Sequence, residues 1–247
     1  MIGKTFMEYF ENLFPTSQLE VNAELLDAIQ TKVTNRMNAR LLQEFQASKV
    51  EIDLKQMHPM KALRPDGMPP LFYQNFWPIV NSIVTHAVLD FLNHGAAPPN
   101  FHETHIVIIP KTKNPERVMD YRPISLCNVV YKLAFKAVAN RLKLVLQDVI
   151  CENQSAFVSE RLIIDNVLVA YEIMNHINRK KKGKCWEMAL KLDMNKAYDR
   201  VEWSCLKQIT AKLGFHENWI HLVMRCVSFV TYVVRVNGHV CGQIVPT

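Results

Sequence analysis

The stretch ALKLDMNKAYDRVEW, from Ala189 to Trp203, places a carboxylate where a carboxylate could do chemistry. Met188, Leu190, Leu192 and Met194 alternate with Ala189, Lys191 and Asp193, the period of a strand with one apolar face. The spacing predicts a strand that delivers Asp193 at its C-terminal end, opposite the apolar side. Two readings are open for it. It caps the turn that follows, as most strand-ending aspartates do. Or it binds Mg2+, a hard cation that takes carboxylate oxygen and substrate phosphate. Lys111, at the end of a second predicted strand, and Arg122, in DYRPIS after a loop, add a point charge and a planar fork. That pair of side chains can grip a triphosphate, although singly each reads as ordinary solvated charge.

The elements that must position these groups follow from the pattern around them. THIVIIPK, Thr104 to Lys111, is a strand by its β-branched run. Residues 3–57 read as helical, and SKVE, Ser48 to Glu51, is a capping box opening a helix that carries Val50, Leu54 and Met57. HPMKALRPDGMPP forces a loop. The apolar helix after it, Leu71 to Gly95, should kink near Pro78 and end at Gly95. Tyr131, Ala134, Phe135, Val138, Leu142 and Val145 recur at helical spacing, with Lys132, Lys136 and Lys143 on another face that reads as solvated. Residues 162–178 give one more helix, and RKKKGK, Arg179 to Lys184, a basic turn. Trp203, Leu206, Ile209 and Leu213 form a stripe closed by Gly214, and a helix from about Glu217 to Val227 follows. The last segment, TYVVRVNGHVCGQIV, is a hairpin about Asn237-Gly238. Helices and strands mix irregularly, so the fold class is α/β, more nearly α+β.

Composition narrows the classes. The 247 residues are 49% hydrophobic, enough for a packed core, and the net charge of +6 favours an anionic partner. No apolar run approaches the ~20 residues of a membrane span, so the chain reads as soluble and without a membrane partner. MIGKTFMEYFENLF lacks the apolar core of a signal peptide. Six cysteines form no C-x-x-C pair, which argues for a reducing compartment and against a zinc site. HETH, His102 to His105, is not the H-E-x-x-H spacing of a zinc hydrolase, and no glycine-rich phosphate loop exists.

Taken together, IIPK (Ile108 to Lys111), DYRPISLCNVVYKLAFKAVANRL, NQSAFVSERLIIDNVLVAYE and ALKLDMNKAYDRVEW resemble the reverse transcriptase of plant non-LTR retrotransposons of the LINE type. The resemblance runs from YFENLF through KQMHPMKALRPDGMPPLFYQNFW to VNGHVCGQIVP and so covers nearly all the chain. It implies a right-hand polymerase: a helical extension over 1–57, fingers over 58–185 and an incomplete palm over 186–247. It implies Asp193 as the first catalytic aspartate on both Mg2+ ions, with Mn2+ as the alternative metal, and Met194 lending its backbone carbonyl. Tyr198 is implied as the gate that collides with a ribose 2′-hydroxyl, and Lys111 and Arg122 as holders of the incoming dNTP. Gln154, Arg161 and Asn166 are implied to line the template. Asp199 matches a recurrent position but is read as a cap rather than a ligand. The partners are then an RNA template and a DNA primer, and the site of action the nucleus.

Two stretches depart from that pattern. Leu63-Arg64 and Ser159-Glu160 stand where Pro-Gly is usual. The second carboxylate of the family lies in a Tyr-Ala-Asp-Asp hairpin that this sequence does not contain. A fragment inactive by itself is therefore expected, holding fingers and part of a palm; the alternative is a noncatalytic nucleic-acid-binding remnant. A palm that is incomplete should also leave the VVRVNG hairpin with an open apolar edge.

Overall fold

The structure, a computed structural model, describes residues 2–17, 21–60, 67–180, 186–194 and 196–247. The alternative residues at 63–64 and most of RKKKGK lie outside the described residues.

A run of β-branched residues makes β1 (Glu103–Pro110) the spine of a sheet. It pairs antiparallel with β2 (Tyr121–Cys127) and parallel with β3 (Thr231–Val236), and β3 pairs antiparallel with β4 (His239–Ile244). The order is β2-β1-β3-β4. Asn237 and Gly238 both take positive φ, 50° and 83°, which suits the tight turn that the Asn-Gly pair signals. The hairpin that contains VVRVNG does lie at one edge of the sheet, through its second strand β4. β3 is paired on both sides, and the edge strand is β4, against which α1 (Ile2–Leu13) packs. Phe6 and Phe10 of α1 enter a small core with Ile106, Val234 and Ile244.

The larger core is built on α7 (Val129–Val149), whose helical stripe buries Tyr131, Leu133, Ala134, Ala137, Val138 and Val145. Against it lie Val50 and Leu54 of α4 (Ala47–Lys55), Val84 and Val88 of α6 (Trp77–Leu89), and Trp219 and Leu222 of α10 (Glu217–Ser228). Short helices α2 (Ala23–Asp27), α3 (Asn35–Leu41) and α5 (Pro70–Asn75) connect them, and α9 (Trp203–Lys212) precedes α10.

Three expectations change, and one expected helix forms without burial. Ser48 is not a cap: α4 begins one residue earlier, behind Gln46, whose side chain makes no capping bond. The helix before Gly95 is not kinked at Pro78 but broken at Phe76, and Pro78 sits in the first turn of α6, where its missing N–H is no loss. The helix 162–178 forms as α8 (Ile163–Arg179), yet it buries none of its residues. And the strand expected at 189–194 does not form: residues 186–194 have no regular structure, and Leu190 and Leu192 are 75% and 81% exposed.

Gly214, after α9, has φ of 94°, and a Cβ there would lie 2.6 Å from Thr31 Cγ2 and 3.1 Å from the Val33 carbonyl oxygen. Gly238, with φ of 83°, has nothing within 4 Å. Gly238→Ala should therefore cost about 1–2 kcal/mol, the left-handed backbone alone. Gly214→Ala should add about 1–3 kcal/mol of overpacking. Urea unfolding midpoints read the difference, and equal losses would contradict the close approach at Gly214.

Candidate nucleotide and metal site

Pairing between β1 and β2 brings Lys111 and Arg122 together. Arg122 lies opposite Ile109, and Lys111 follows two residues after Ile109, on the same side of the pleat. Both side chains are at the tip of the hairpin and exposed. The loop between the strands is held by Asp120, whose Oδ2 accepts from the backbone N–H groups of Arg117 (2.9 Å) and Glu116 (3.1 Å). Those bonds, Arg117's first, hold its carboxyl below the usual carboxylate value. The Lys111 backbone N–H donates to the Asp120 carbonyl (2.7 Å) and its Nζ to the Met119 carbonyl (2.7 Å). Sequence reasoning missed Asp120; an Asp three residues after Arg117 is the local signal of such a turn.

Asp193 and Met194 are exposed, in the segment that forms no strand. Regular structure resumes in the turn Tyr198–Arg200. Lys196 places its ammonium 4.1 Å from the centroid of the Tyr9 ring. Asp199 donates its backbone N–H to the Lys196 carbonyl (3.1 Å) within the short 3-10 turn Tyr198–Arg200. Glu202 accepts from Thr16 Oγ1 (2.6 Å), Ser17 Oγ (2.6 Å) and Ser17 N–H (2.9 Å), tying the start of α9 to the end of α1. Tyr198 is exposed and lines a cleft with Tyr232 and Thr104, which are paired across β3 and β1. Lys111 stands at the opposite end of β1, about seven residues and on the order of 20 Å along the strand. The structure therefore joins Lys111 to Arg122, while Tyr198 lines a cleft with Ile124 and Ser125 of β2.

Gln154, Arg161 and Asn166 are also brought together, in a clasp at the end of α7. The Arg161 guanidinium donates to the carbonyls of Gln147 (3.0 Å), Ile150 (3.3 Å), Cys151 (2.5 Å) and Gln154 (2.9 Å). Ser155 Oγ donates to Asn166 Oδ1 (3.1 Å). A guanidinium spent on a helix C-terminus satisfies carbonyls that would otherwise be orphaned.

Comparison with known proteins places this geometry. Residues 109–246 match the family described as reverse transcriptase (RNA-dependent DNA polymerase), and they make up more than half of the chain. The chain belongs to the reverse transcriptase family. It is also 26% identical, over 231 residues, to the Transposon TX1 uncharacterized 149 kDa protein of Xenopus laevis. That alignment takes in 93% of this chain and 17% of the relative, so the chain spans a small part of that protein's length.

The reverse transcriptase match encloses Lys111, Arg122, Asp193 and Tyr198 alike. Reverse transcriptases depend in general on a divalent metal, and the residues here do not fit one as arranged. Asp193 is exposed and off the sheet, and among the described residues no group of three His, Cys, Asp or Glu side chains could hold an ion. Two metals about 4 Å apart require carboxylates on both sides. No step is therefore derived through a metal. Among the described residues no helix is long and apolar enough to cross a membrane.

What this arrangement does support is a held, doubly cationic hairpin tip. A carboxyl whose folded-state pKa is depressed adds stability above its unfolded value, and that stability is lost as pH falls through the folded value. Order in the 111–120 loop, followed by the amide shifts of Glu116 and Arg117, should persist at pH 6 and fade below about pH 4. Asp120→Asn should abolish that pH dependence. An unchanged acid transition in the variant would remove Asp120 from the role.

Proposed function

We propose that this chain is the fingers and the start of the palm of an RNA-directed DNA polymerase from a non-LTR retroelement. Lys111 and Arg122 take the triphosphate of a dNTP, Tyr198 is the gate against a ribose 2′-hydroxyl, and Asp193, followed by Met194, is the first carboxylate of a Mg2+ site. RNA template and DNA primer are the partners, and the nucleus is the site of action. The observation that carries the reading is the register of β1 and β2, which sets a lysine and an arginine side by side at a braced hairpin tip within the family match. A fixed pair of this kind recognises phosphate through charge-assisted hydrogen bonds.

The arrangement of these 247 residues also bears on activity. With Asp193 off the sheet and, among the described residues, no group of three His, Cys, Asp or Glu side chains that could hold an ion, the chain binds nucleotide without joining it to a primer. A second reading, a noncatalytic nucleic-acid-binding remnant, draws on the same displaced Asp193 and on the net charge of +6.

A fluorescent dNTP should bind the 247-residue chain, and Lys111→Ala with Arg122→Ala should weaken it at least about tenfold, the worth of one charged hydrogen bond or more. Primer extension with Mg2+ and dNTPs should give no product. Extension that Asp193→Ala abolishes would show a complete site and refute the inactivity. Nucleotide binding untouched by the double substitution would refute the triphosphate role.

A further inference from the structure

Arg225, on α10, carries a guanidinium without an acceptor. Its Nε is buried with no hydrogen-bond partner, and among the described residues its side chain makes no hydrogen bond and no ion pair. A buried donor left unpaired is costly, and a charged one more so. The group is nonetheless held in place. Gly95, at φ of 78°, ends the helical turn Asp90–His94 that follows α6, and a Cβ there would collide with the Arg225 Nη1. The bare glycine is thus the notch in which the guanidinium sits, its central carbon 6.0 Å from the centroid of the Phe91 ring.

Arg225 lines a cleft of about 450 Å3 between α10, the turn Asp90–His94 and residues 41–45, remote in sequence from Lys111, Arg122 and Asp193. Its size is that of a small-molecule site, and Leu92, Trp219 and Leu222, all buried, give it an apolar floor. The charges around it can be matched one by one. Arg141 also lines it, but its guanidinium N–H groups go to the carbonyls of Leu41 (3.2 Å), Gln43 and Glu44 (3.3 Å). His221 and His94 each have an acid of their own, Glu217 at 3.3 Å and Asp90 at 3.7 Å. Glu44 is the acid among the lining residues, and it is exposed and forms no ion pair with either arginine. Two guanidinium charges against one carboxylate leave an excess of one positive charge, and Arg225 is the group with donors to offer.

We propose that this cleft binds a small organic carboxylate, with its apolar body on the Leu92, Trp219 and Leu222 floor and its two oxygens on the Arg225 guanidinium. A planar fork held in a notch is the partner that a carboxylate meets with two parallel hydrogen bonds. A neutral apolar molecule would cover the floor and leave the guanidinium unpaired. A phosphate monoester, close to a dianion at neutral pH, would bring more charge than the lining has in excess. The site is independent of the polymerase reading and uses none of its residues.

Isothermal titration calorimetry of the 247-residue chain with 3-phenylpropionate tests it, with 3-phenylpropanol as the neutral analogue and acetate as the anion without a body. The carboxylate should bind with a Kd of about 1 mM, the expectation for a ligand of its size. The alcohol and acetate should each bind at least about tenfold more weakly, one lacking the charged hydrogen bonds and the other the buried ring. Arg225→Gln should weaken 3-phenylpropionate at least about tenfold. Arg225→Lys keeps the charge but loses the fork and should still weaken it by roughly threefold or more, so the test survives if the glutamine variant does not fold; circular dichroism checks both. Lys111→Ala with Arg122→Ala should leave this binding unchanged, which separates the cleft from the hairpin tip. No binding of 3-phenylpropionate at roughly 10 mM, equal binding of the alcohol, or undiminished binding in a folded Arg225 variant would each overturn the proposal. So would loss of binding in the Lys111 and Arg122 double variant.

Discussion

The parallel pairing of β1 with β3 is the constraint on which the remaining structure depends. It joins residues 103–107 to 231–235 across more than a hundred residues of intervening chain. Closing so long a loop costs little more than closing one half its length, because the entropy grows only with the logarithm of length. Ile106 and Val234 meet across this pair and are 2% and 0% exposed. A polar clasp reinforces it on the neighbouring residues. Arg235 donates Nε–H to His105 Nδ1 (2.8 Å), which fixes the ring proton on Nε2, and Nε2 donates to Glu103 (2.7 Å). With β3 on one side and β2 on the other, β1 is held along both edges, and the hairpin tip bearing Lys111 and Arg122 has a rigid base.

The second stabilising device is the repeated use of arginine to close backbone ends around α7. Arg161 gathers the carbonyls at its C-terminus. Arg141, midway along the helix, stacks its guanidinium 3.2 Å from the centroid of Phe45 and donates to the carbonyls of Leu41, Gln43 and Glu44. Burial there lowers its pKa to about 10, well above neutrality, so the charge is retained. α7 thus connects the N-terminal helices, the sheet and the clasp of residues 147–166. α8 and residues 186–194 stand in contrast: their apolar side chains face solvent, and Asp193 shares that lack of support.

Much of this was legible in the sequence where the signal is local. The β-branched run of Ile106 to Ile109, the Asn237-Gly238 turn and the helical stripe from Tyr131 to Val145 each specify their element with little help from elsewhere. The pattern at 188–194 is as regular as any of these and still yields no strand. Alternation decides which face of a strand would be apolar, but a strand exists only if a neighbour accepts its hydrogen bonds. For the same reason α8 shows an amphipathic period and no burial. The contacts of Arg161 were not legible: a lone arginine in a loop offers no sign that its guanidinium will meet four carbonyls of its own chain. Lys111 and Arg122 were legible as a pair of cations, but the register that joins them was not: the sequence reading gave no strand over Tyr121–Cys127, where the structure has β2.

One part of this chain is a finished sheet, and the segment bearing Asp193 is not part of it. Hydrogen exchange of the 247-residue chain, resolved by residue, tests that most directly. Amides of β1 and β3 should exchange together and slowly, through global unfolding, while those of residues 188–194 exchange within seconds. Protection of Leu190 to Asp193 equal to that of Ile106 and Val234 would mean that the segment is a paired strand in solution, and would contradict the account.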